Sequence, residues 1–403
     1  MSQQQVSARD VAAAAAALQG SVRRTEVVYS RALSEHVGVP VYLKCENLQR
    51  TGSFKIRGAY YRMMRLSDEE KRRGVVAASA GNHAQGVALA ANALGIPATV
   101  FMPGEAALPK IAATTEYGAE VRLVGVDVAD ALAAAAAEAQ QSGKVLIHPF
   151  DHPDVIAGQG TIAIEVLEQL PDVRTIIAPV GGGGLVAGLI SAVATGPTSV
   201  EVVGVQAAQF AAYPASLAAG QPCAVPARST MADGIAVSRP GEVPFQIIAQ
   251  AEARVLKVDE EDISTALLHL IERSKLVVEP SGAVGVAALF AQREQFTQGP
   301  ICVVLSGGNV DPLVMLRIIR HGLVAAGRYL NIRVRLVDRP GVLAELVGEL
   351  ARDGGNVMHV DHVRTGIELS IDEVEVGFQV ETKGPEHCAE LLARLRDKGY
   401  QVL

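Results

Sequence analysis

Tryptophan is absent from the 403-residue sequence, so a bound fluorophore would emit against little background. Cysteine is scarce. Cys45, Cys223, Cys302 and Cys388 lie far apart with no Cys-x-x-Cys, which argues against a disulfide framework or a zinc site and suits a reducing, cytoplasmic setting. Positive charge is in deficit, with 36 Lys and Arg against 43 Asp and Glu and a formal net charge of −7. Nucleic-acid binding needs a basic face, and the longest basic run, Lys71-Arg72-Arg73 after Glu69-Glu70, reads as a solvated helix end. The start, Met1-Ser2-Gln3-Gln4-Gln5, lacks the positive region of a signal peptide. One charge-free stretch, 175–200, is long enough to resemble a membrane span, but Pro179 and four consecutive glycines interrupt it. Strand, loop and helix is the better reading, and no membrane partner is expected.

What the sequence does hold is a core, since hydrophobic residues make up 49% and charged residues 20%. Its length calls for two or three domains. Residues 7–19 read as an amphipathic helix with Ser7 as N-cap and Asp10 three residues on. Strand-like and helix-like segments then alternate. Strands are expected at 39–44, 74–78, 98–102, 119–124, 174–178, 201–206 and 300–305. Helices are expected at 53–66, 82–94, 109–117, 128–142, 184–195, 259–273 and 281–292. This order predicts an α/β fold with parallel-sheet cores, in which ligands sit at the carboxyl ends of strands. Near 325 the pattern changes. Strand 331–337, helix 342–352, strands 356–364 and 368–381, helix 385–398 and a short last strand make a ferredoxin-like β-α-β-β-α-β order.

Four glycine-bearing segments fall at expected strand ends. Thr51-Gly52-Ser53-Phe54-Lys55-Ile56-Arg57-Gly58-Ala59 sets a lysine at the opening of a helix. An aldehyde cofactor needs such an amine, and desolvation would make it nucleophilic; taken alone, the segment equally describes a surface lysine at a helix start. Ser79-Ala80-Gly81-Asn82-His83-Ala84-Gln85-Gly86 stands between a strand and a helix, where backbone N–H groups hold anions such as a carboxylate; a capped turn is the plainer alternative. Gly181-Gly182-Gly183-Gly184-Leu185 can converge successive amides on one phosphate. Its match to a dinucleotide fingerprint is loose, because Gln206 rather than an acid ends the next strand. Finally, Ser306 in Leu305-Ser306-Gly307-Gly308-Asn309 can meet a pyridine nitrogen or merely close a turn. The histidines of His148-x-x-x-His152 and His359-x-x-His362 have no further ligand nearby in sequence, and no metal is expected.

Taken in order, these segments resemble the fold-type-II pyridoxal-phosphate enzymes, and among them the threonine dehydratases, from about Asp10 to Val324. Leu43-Lys44-x-Glu46-x-Leu48-Gln49, Ala157-Gly158-Gln159-Gly160-Thr161 and Ala232-Asp233-Gly234 add to the likeness. The resemblance implies a two-lobed catalytic domain of the tryptophan synthase β type over 1–325, with a small subdomain at about 46–145 inserted in the larger one. It implies that Lys55 bonds pyridoxal phosphate, that Phe54 packs on the ring and that Asn82 meets the phenolic oxygen. Gly181, Gly182, Gly183, Gly184 and Leu185 would cradle the phosphate, and Ser306 would face the ring nitrogen. Ser79, Ala80, Gly81, Asn82 and His83 would grip the substrate carboxylate.

The implied reaction turns L-threonine into 2-oxobutyrate and ammonia, and L-serine into pyruvate. Related racemases carry a second acid–base serine where Ala80 stands here, so racemisation should be poor. Relatives that bind a divalent cation place carboxylates after the strand ending near Gln206, and residues 206–220 contain none. Residues 326–403 resemble an ACT domain, through Asp338-Arg339-Pro340-Gly341-Val342-Leu343 and Gly355-Asn356-Val357. That likeness implies effector binding near Gly341, Leu343 and Asn356, with isoleucine or valine as effector, and a homodimer or homotetramer. Two alternatives stand: a serine racemase or a dehydratase of another β-hydroxy amino acid, and a non-catalytic amino-acid sensor.

Overall fold

The computed structural model describes residues 6–195, 199–226, 228–364 and 369–403. Met1–Gln5 and Glu368, the first residue of the strand expected at 368–381, lie outside them. The chain divides into two compact units, Met1–Asp311 and Pro312–Leu403. The helix Pro312–Ala325 thus groups with the second unit, ahead of the boundary expected near 325.

The first unit holds two sheets. Six strands lie in the order Val27–Tyr29, Val41–Lys44, Ile301–Val304, Thr175–Pro179, Glu201–Ala207 and Val255–Val258. All neighbours are parallel except the first pair. The inner strands are apolar on both faces, as a parallel sheet covered by helices requires. Between the second and fourth of these strands in space, the chain inserts a smaller parallel sheet, ordered Glu120–Leu123, Ala98–Met102, Val75–Ala78 and Val145–Leu146.

Capping chemistry starts several helices. Ser7 and Asp10 form a reciprocal capping box on Ala8–Ala17, and Ser67 with Glu70 does the same for Asp68–Arg73, the helix that ends in the basic run. The long helix Pro153–Gln169 was not foreseen. It carries Gly158 and Gly160 in its interior, which lowers intrinsic propensity. Those glycines allow backbone approach: a Cβ on Gly158 would lie 2.7 Å from the carbonyl oxygen of Arg57, and one on Gly160 would lie 2.5 Å from that of Gly188. The helix therefore locks directly against the helices Lys55–Met64 and Gly184–Val193.

A buried charge cluster reinforces this junction. Arg57 donates to Glu46 at 2.8 Å and to Glu165 at 2.7 Å, and Lys44 donates to Glu165 at 2.6 Å. Arg57, Lys44 and Glu46 are all fully buried. Burial alone would raise the Glu46 carboxyl, but the Arg57 guanidinium together with Lys44 and the Thr25 hydroxyl outweighs it and holds the acid below its usual range.

The second unit has the expected β-α-β-β-α-β order. Its antiparallel sheet runs Asn356–Val363, Glu373–Glu381, Tyr329–Val337, Gln401–Val402. The helices Val342–Arg352 and Pro385–Asp397 bring Leu346 and Leu391 into one core with Val334, Val376 and Phe378 of the sheet. The strand expected from 368 begins only at Glu373. Ser370 instead makes a turn in which its carbonyl accepts from the Glu373 amide at 3.0 Å, while its own amide donates to the Glu373 carboxylate at 3.1 Å.

Candidate active site

The carboxyl ends of Val41–Lys44, Ile301–Val304 and Thr175–Pro179 in the large sheet, and of Val75–Ala78 in the small one, lead into the segments singled out above. The structure brings three of them into direct contact. Ser53 bridges Gly307, the Phe54 amide donates to the Ser306 carbonyl at 3.1 Å, and the Gly308 amide donates to Gly52 at 2.8 Å. Asn309 then ties the lysine turn to the asparagine loop. Its amide nitrogen donates to the Thr51 carbonyl at 2.7 Å and to the Asn82 amide oxygen at 2.9 Å.

Lys55 opens the helix Lys55–Met64 and is partly buried. Its Nζ donates to the Pro149 carbonyl at 3.1 Å and lies 5.2 Å from the centre of the Phe54 ring. Phe54 is itself buried in the large-lobe core. Burial pushes the Lys55 amine down to about 8, against the pull of the Glu279 carboxylate. A substantial share is therefore neutral near physiological pH, as a nucleophilic amine requires.

The segment after Pro149 connects the lysine to the glycine turn. The Phe150 ring covers Gly182, where a Cβ would lie 2.4 Å from it. Gly183 has φ +100°, a left-handed conformation that a side chain would strain. Behind the turn, the buried Tyr213 hydroxyl donates to the Gly182 carbonyl at 3.1 Å, and the Gly241 amide donates to the same oxygen. Tyr213 is held in turn by Gln206, whose side-chain oxygen accepts from the Tyr213 amide at 2.9 Å. Gly181 to Leu185 thus present the first-turn amides of Gly184–Val193 from a braced turn.

On the other wall, Asn82 begins the helix Asn82–Leu94, capped by Gly81. Ser79 accepts the Gly81 amide at 3.0 Å, leaving its hydroxyl proton free to donate. Ala80 is partly buried in the same loop. The His83 side chain turns away: its Nε2 meets the Ile147 carbonyl at 2.8 Å, and burial, with Lys55 nearby, lowers its pKa to about 3. What it can offer an anion is therefore its backbone amide. Lys110 pairs with Asp233 at 2.8 Å, and its side chain lies 3.2 Å from where a Cβ on Gly81 would stand.

One residue escaped the sequence reading. Glu279 is buried and accepts from the Asn82 amide nitrogen at 2.7 Å. Burial, with Asp233 adding, raises its carboxyl to about 7, against Lys110, Asn82 and Lys55.

The expected histidine pairs have other partners. His148 accepts from the Asp151 amide, His152 caps Pro153–Gln169 and His359 meets Asp361. Among the described residues no group of three or more His, Cys, Asp or Glu side chains gathers to hold a metal. In the second unit, Gly341 caps Val342–Arg352 at φ +96°, Leu343 is partly buried, and Asn356 donates to Glu381 at 3.0 Å. Gly341 and Asn356 flank opposite ends of that helix, about 16 Å apart by its rise.

A neutralisable lysine, a braced run of glycine amides at a helix start and a neutral serine at the end of a central strand form the donor set that pyridoxal phosphate calls for. Residues 18–307, more than half of the chain, match the family model of pyridoxal-phosphate dependent enzymes. The chain belongs to that family and uses that cofactor. Residues 331–397 match the ACT domain, which supports amino-acid effector binding there. The chain is 47% identical over 385 residues to an L-threonine ammonia-lyase of Geobacter sulfurreducens, covering 96% of each. The processed form of threonine deaminase isoform 2 from Solanum lycopersicum is structurally similar, with TM-score 0.74 and 33% identity over 80% of this chain and 96% of that one. Maize serine racemase is equally similar in fold, with TM-score 0.74 and 33% identity over 79% and 98%. Among the described residues no helix is long and apolar enough to cross a membrane.

Proposed function

We propose that this protein deaminates L-threonine to 2-oxobutyrate and ammonia, acts on L-serine to give pyruvate, and answers to an amino-acid effector through residues 331–397. The observation that carries the reading is the partly buried Lys55 amine, held near neutrality within a constellation that also contains Asn82 and the Ser306 turn. The likeness along nearly the whole chain to an L-threonine ammonia-lyase supports the choice of substrate.

When bound, pyridoxal phosphate supplies an electron sink for the pair released at Cα. Gly181 to Leu185 would hold its phosphate, Asn82 would meet its phenolic oxygen and Ser306 its nitrogen. Lys55 Nζ would hold its aldehyde and, once free as a neutral amine, would take the Cα proton of the substrate. The Ser79 hydroxyl and the amides at the start of Asn82–Leu94 hold the substrate carboxylate. A hydroxyl at Ser306, unlike a carboxylate, does not keep the ring nitrogen protonated. That favours prompt loss of the β-hydroxyl over side reactions. Ala80 offers no group to return a proton to the opposite face, which weighs against racemisation. Isoleucine as inhibitor, valine as counter-effector, and a homodimer or homotetramer complete the reading. A cytoplasmic setting suits the four free cysteines.

A steady-state keto-acid assay with L-threonine and L-serine, with and without isoleucine and valine, tests this. The expected result is turnover of both substrates without D-isomer formation, lost by more than about a thousand-fold in Lys55→Ala. Equal inactivity on both substrates with cofactor bound would overturn it.

A further inference from the structure

Glu279 stands at the N-cap of the helix Pro280–Ala291, yet its side chain makes no cap hydrogen bond. It turns away from its own helix and into the site, where its Oε1 receives the Asn82 amide nitrogen at 2.7 Å. The other end of that amide is also engaged, because the Asn82 oxygen accepts from Asn309 at 2.9 Å. An ionised carboxylate only accepts, so the group facing it must be the NH2 end of Asn82. The same residue ties down the serine turn: the Glu279 amide donates to the Gly307 carbonyl at 3.0 Å. Gly307 has no room for a side chain, since a Cβ there would lie 2.4 Å from Glu279 Oε1 and 3.2 Å from Asn82 Nδ2.

We propose that Glu279 is a positioning residue for the cofactor ring, fixing Asn82 as a donor toward the phenolic oxygen and coupling it to the Ser306–Gly307 turn. The inference rests on the cofactor reading above and adds a residue and a pH dependence to it. With Glu279 ionised, Asn82 has one N–H committed and one left for the ring. With Glu279 protonated, the carboxyl can itself donate, and the lock on the amide loosens. The ionisable groups facing Glu279 are Asp233 from Asp233–Ile235, Lys110 from Leu108–Glu116 and Lys55 from Lys55–Met64. Burial, with Asp233 adding to it, outweighs the two lysines and the Asn82 hydrogen bond and brings the carboxyl to about 7, so both forms are populated near neutrality.

Holoenzyme of the wild type, Glu279→Gln and Glu279→Ala tests this, titrated from about pH 5 to about pH 9 with the visible absorbance of the bound cofactor as readout. Cofactor affinity is read from cofactor emission. The wild type should show a spectral transition near about pH 7 that Glu279→Gln lacks. The glutamine keeps an acceptor for Asn82, so its cofactor affinity should stay within about threefold of wild type. The alanine removes the acceptor, and affinity should fall about tenfold or more. A wild-type spectral transition surviving in Glu279→Gln would overturn the proposal, as would undiminished affinity in Glu279→Ala. Should the wild type bind no cofactor, the parent reading falls together with this one. Should it bind cofactor and turn over threonine while Glu279→Gln keeps the transition, only this proposal falls.

Discussion

Burial sets the protonation equilibrium of the Lys55 amine, on which its proposed role as nucleophile depends. Its amine is shifted down from 10.5 to about 8, so the folded protein favours the neutral form. For a base depressed in this way, the stabilising contribution is present above the unfolded value and is lost as pH falls through the folded one. The rate at which apoprotein captures pyridoxal phosphate should therefore fall below about pH 8, and stopped-flow absorbance would show it. A rate independent of pH between about 6 and 9 would mean that the amine is not the titrating nucleophile. Lys55, Asn82 and the glycines were legible in the sequence because each sits in a motif whose residue types have few other uses together. Glu279 was not. An acid beside a proline at a helix start reads as a response to the helix dipole, and only the coordinates reveal that the carboxylate points elsewhere.

Among secondary elements, those with a clean period or strong caps were legible. Asn82–Leu94 and Val128–Ser142 fall where their patterns put them. The short edge strand Val27–Tyr29 and the helix Pro153–Gln169 did not announce themselves. The latter exists through tertiary contact rather than propensity, and its interior glycines are the signature of that contact. Gly158→Ala isolates the effect. Alanine favours a helix over glycine by about 1 kcal/mol, but its Cβ would meet the Arg57 carbonyl oxygen and the Gly58 Cα, each at 2.7 Å. Backbone cannot yield as a side chain does, so the clash wins. We expect a net loss of about 1–3 kcal/mol in denaturant unfolding, and weaker cofactor binding because the displaced helix begins with Lys55. A stabilised variant would show that the packing is looser than the structure indicates.

For the molecule as a whole, the βα alternation and its change near 325 were legible as a large α/β unit followed by a small β-α-β-β-α-β one. The membership of Pro312–Ala325 was not, because an amphipathic helix between two units carries no mark of which core it joins. The second unit is where the proposed regulation is tested. Gly341 has open space around it but a φ of +96°, so alanine there strains the backbone without touching a neighbour. With about 1–2 kcal/mol of local strain, Gly341→Ala should leave threonine turnover unchanged. It should also weaken the isoleucine response, which in the wild type should move half-saturation by about fivefold or more. Inhibition curves for the two proteins would check both parts, and an identical response would remove Gly341 from the effector site.

The central strand of the large sheet, Ile301–Val304, is the last of its six to be synthesised, yet it lies between Val41–Lys44 and Thr175–Pro179. On the ribosome, the small sheet can assemble from strands that follow one another within residues 75–146, while the large one waits with a gap at its middle. Until that gap is filled, two apolar strand edges face solvent unpaired, and open edges of that kind recruit other chains. A nascent chain stalled before residue 301 is thus the form of this protein most in need of a chaperone.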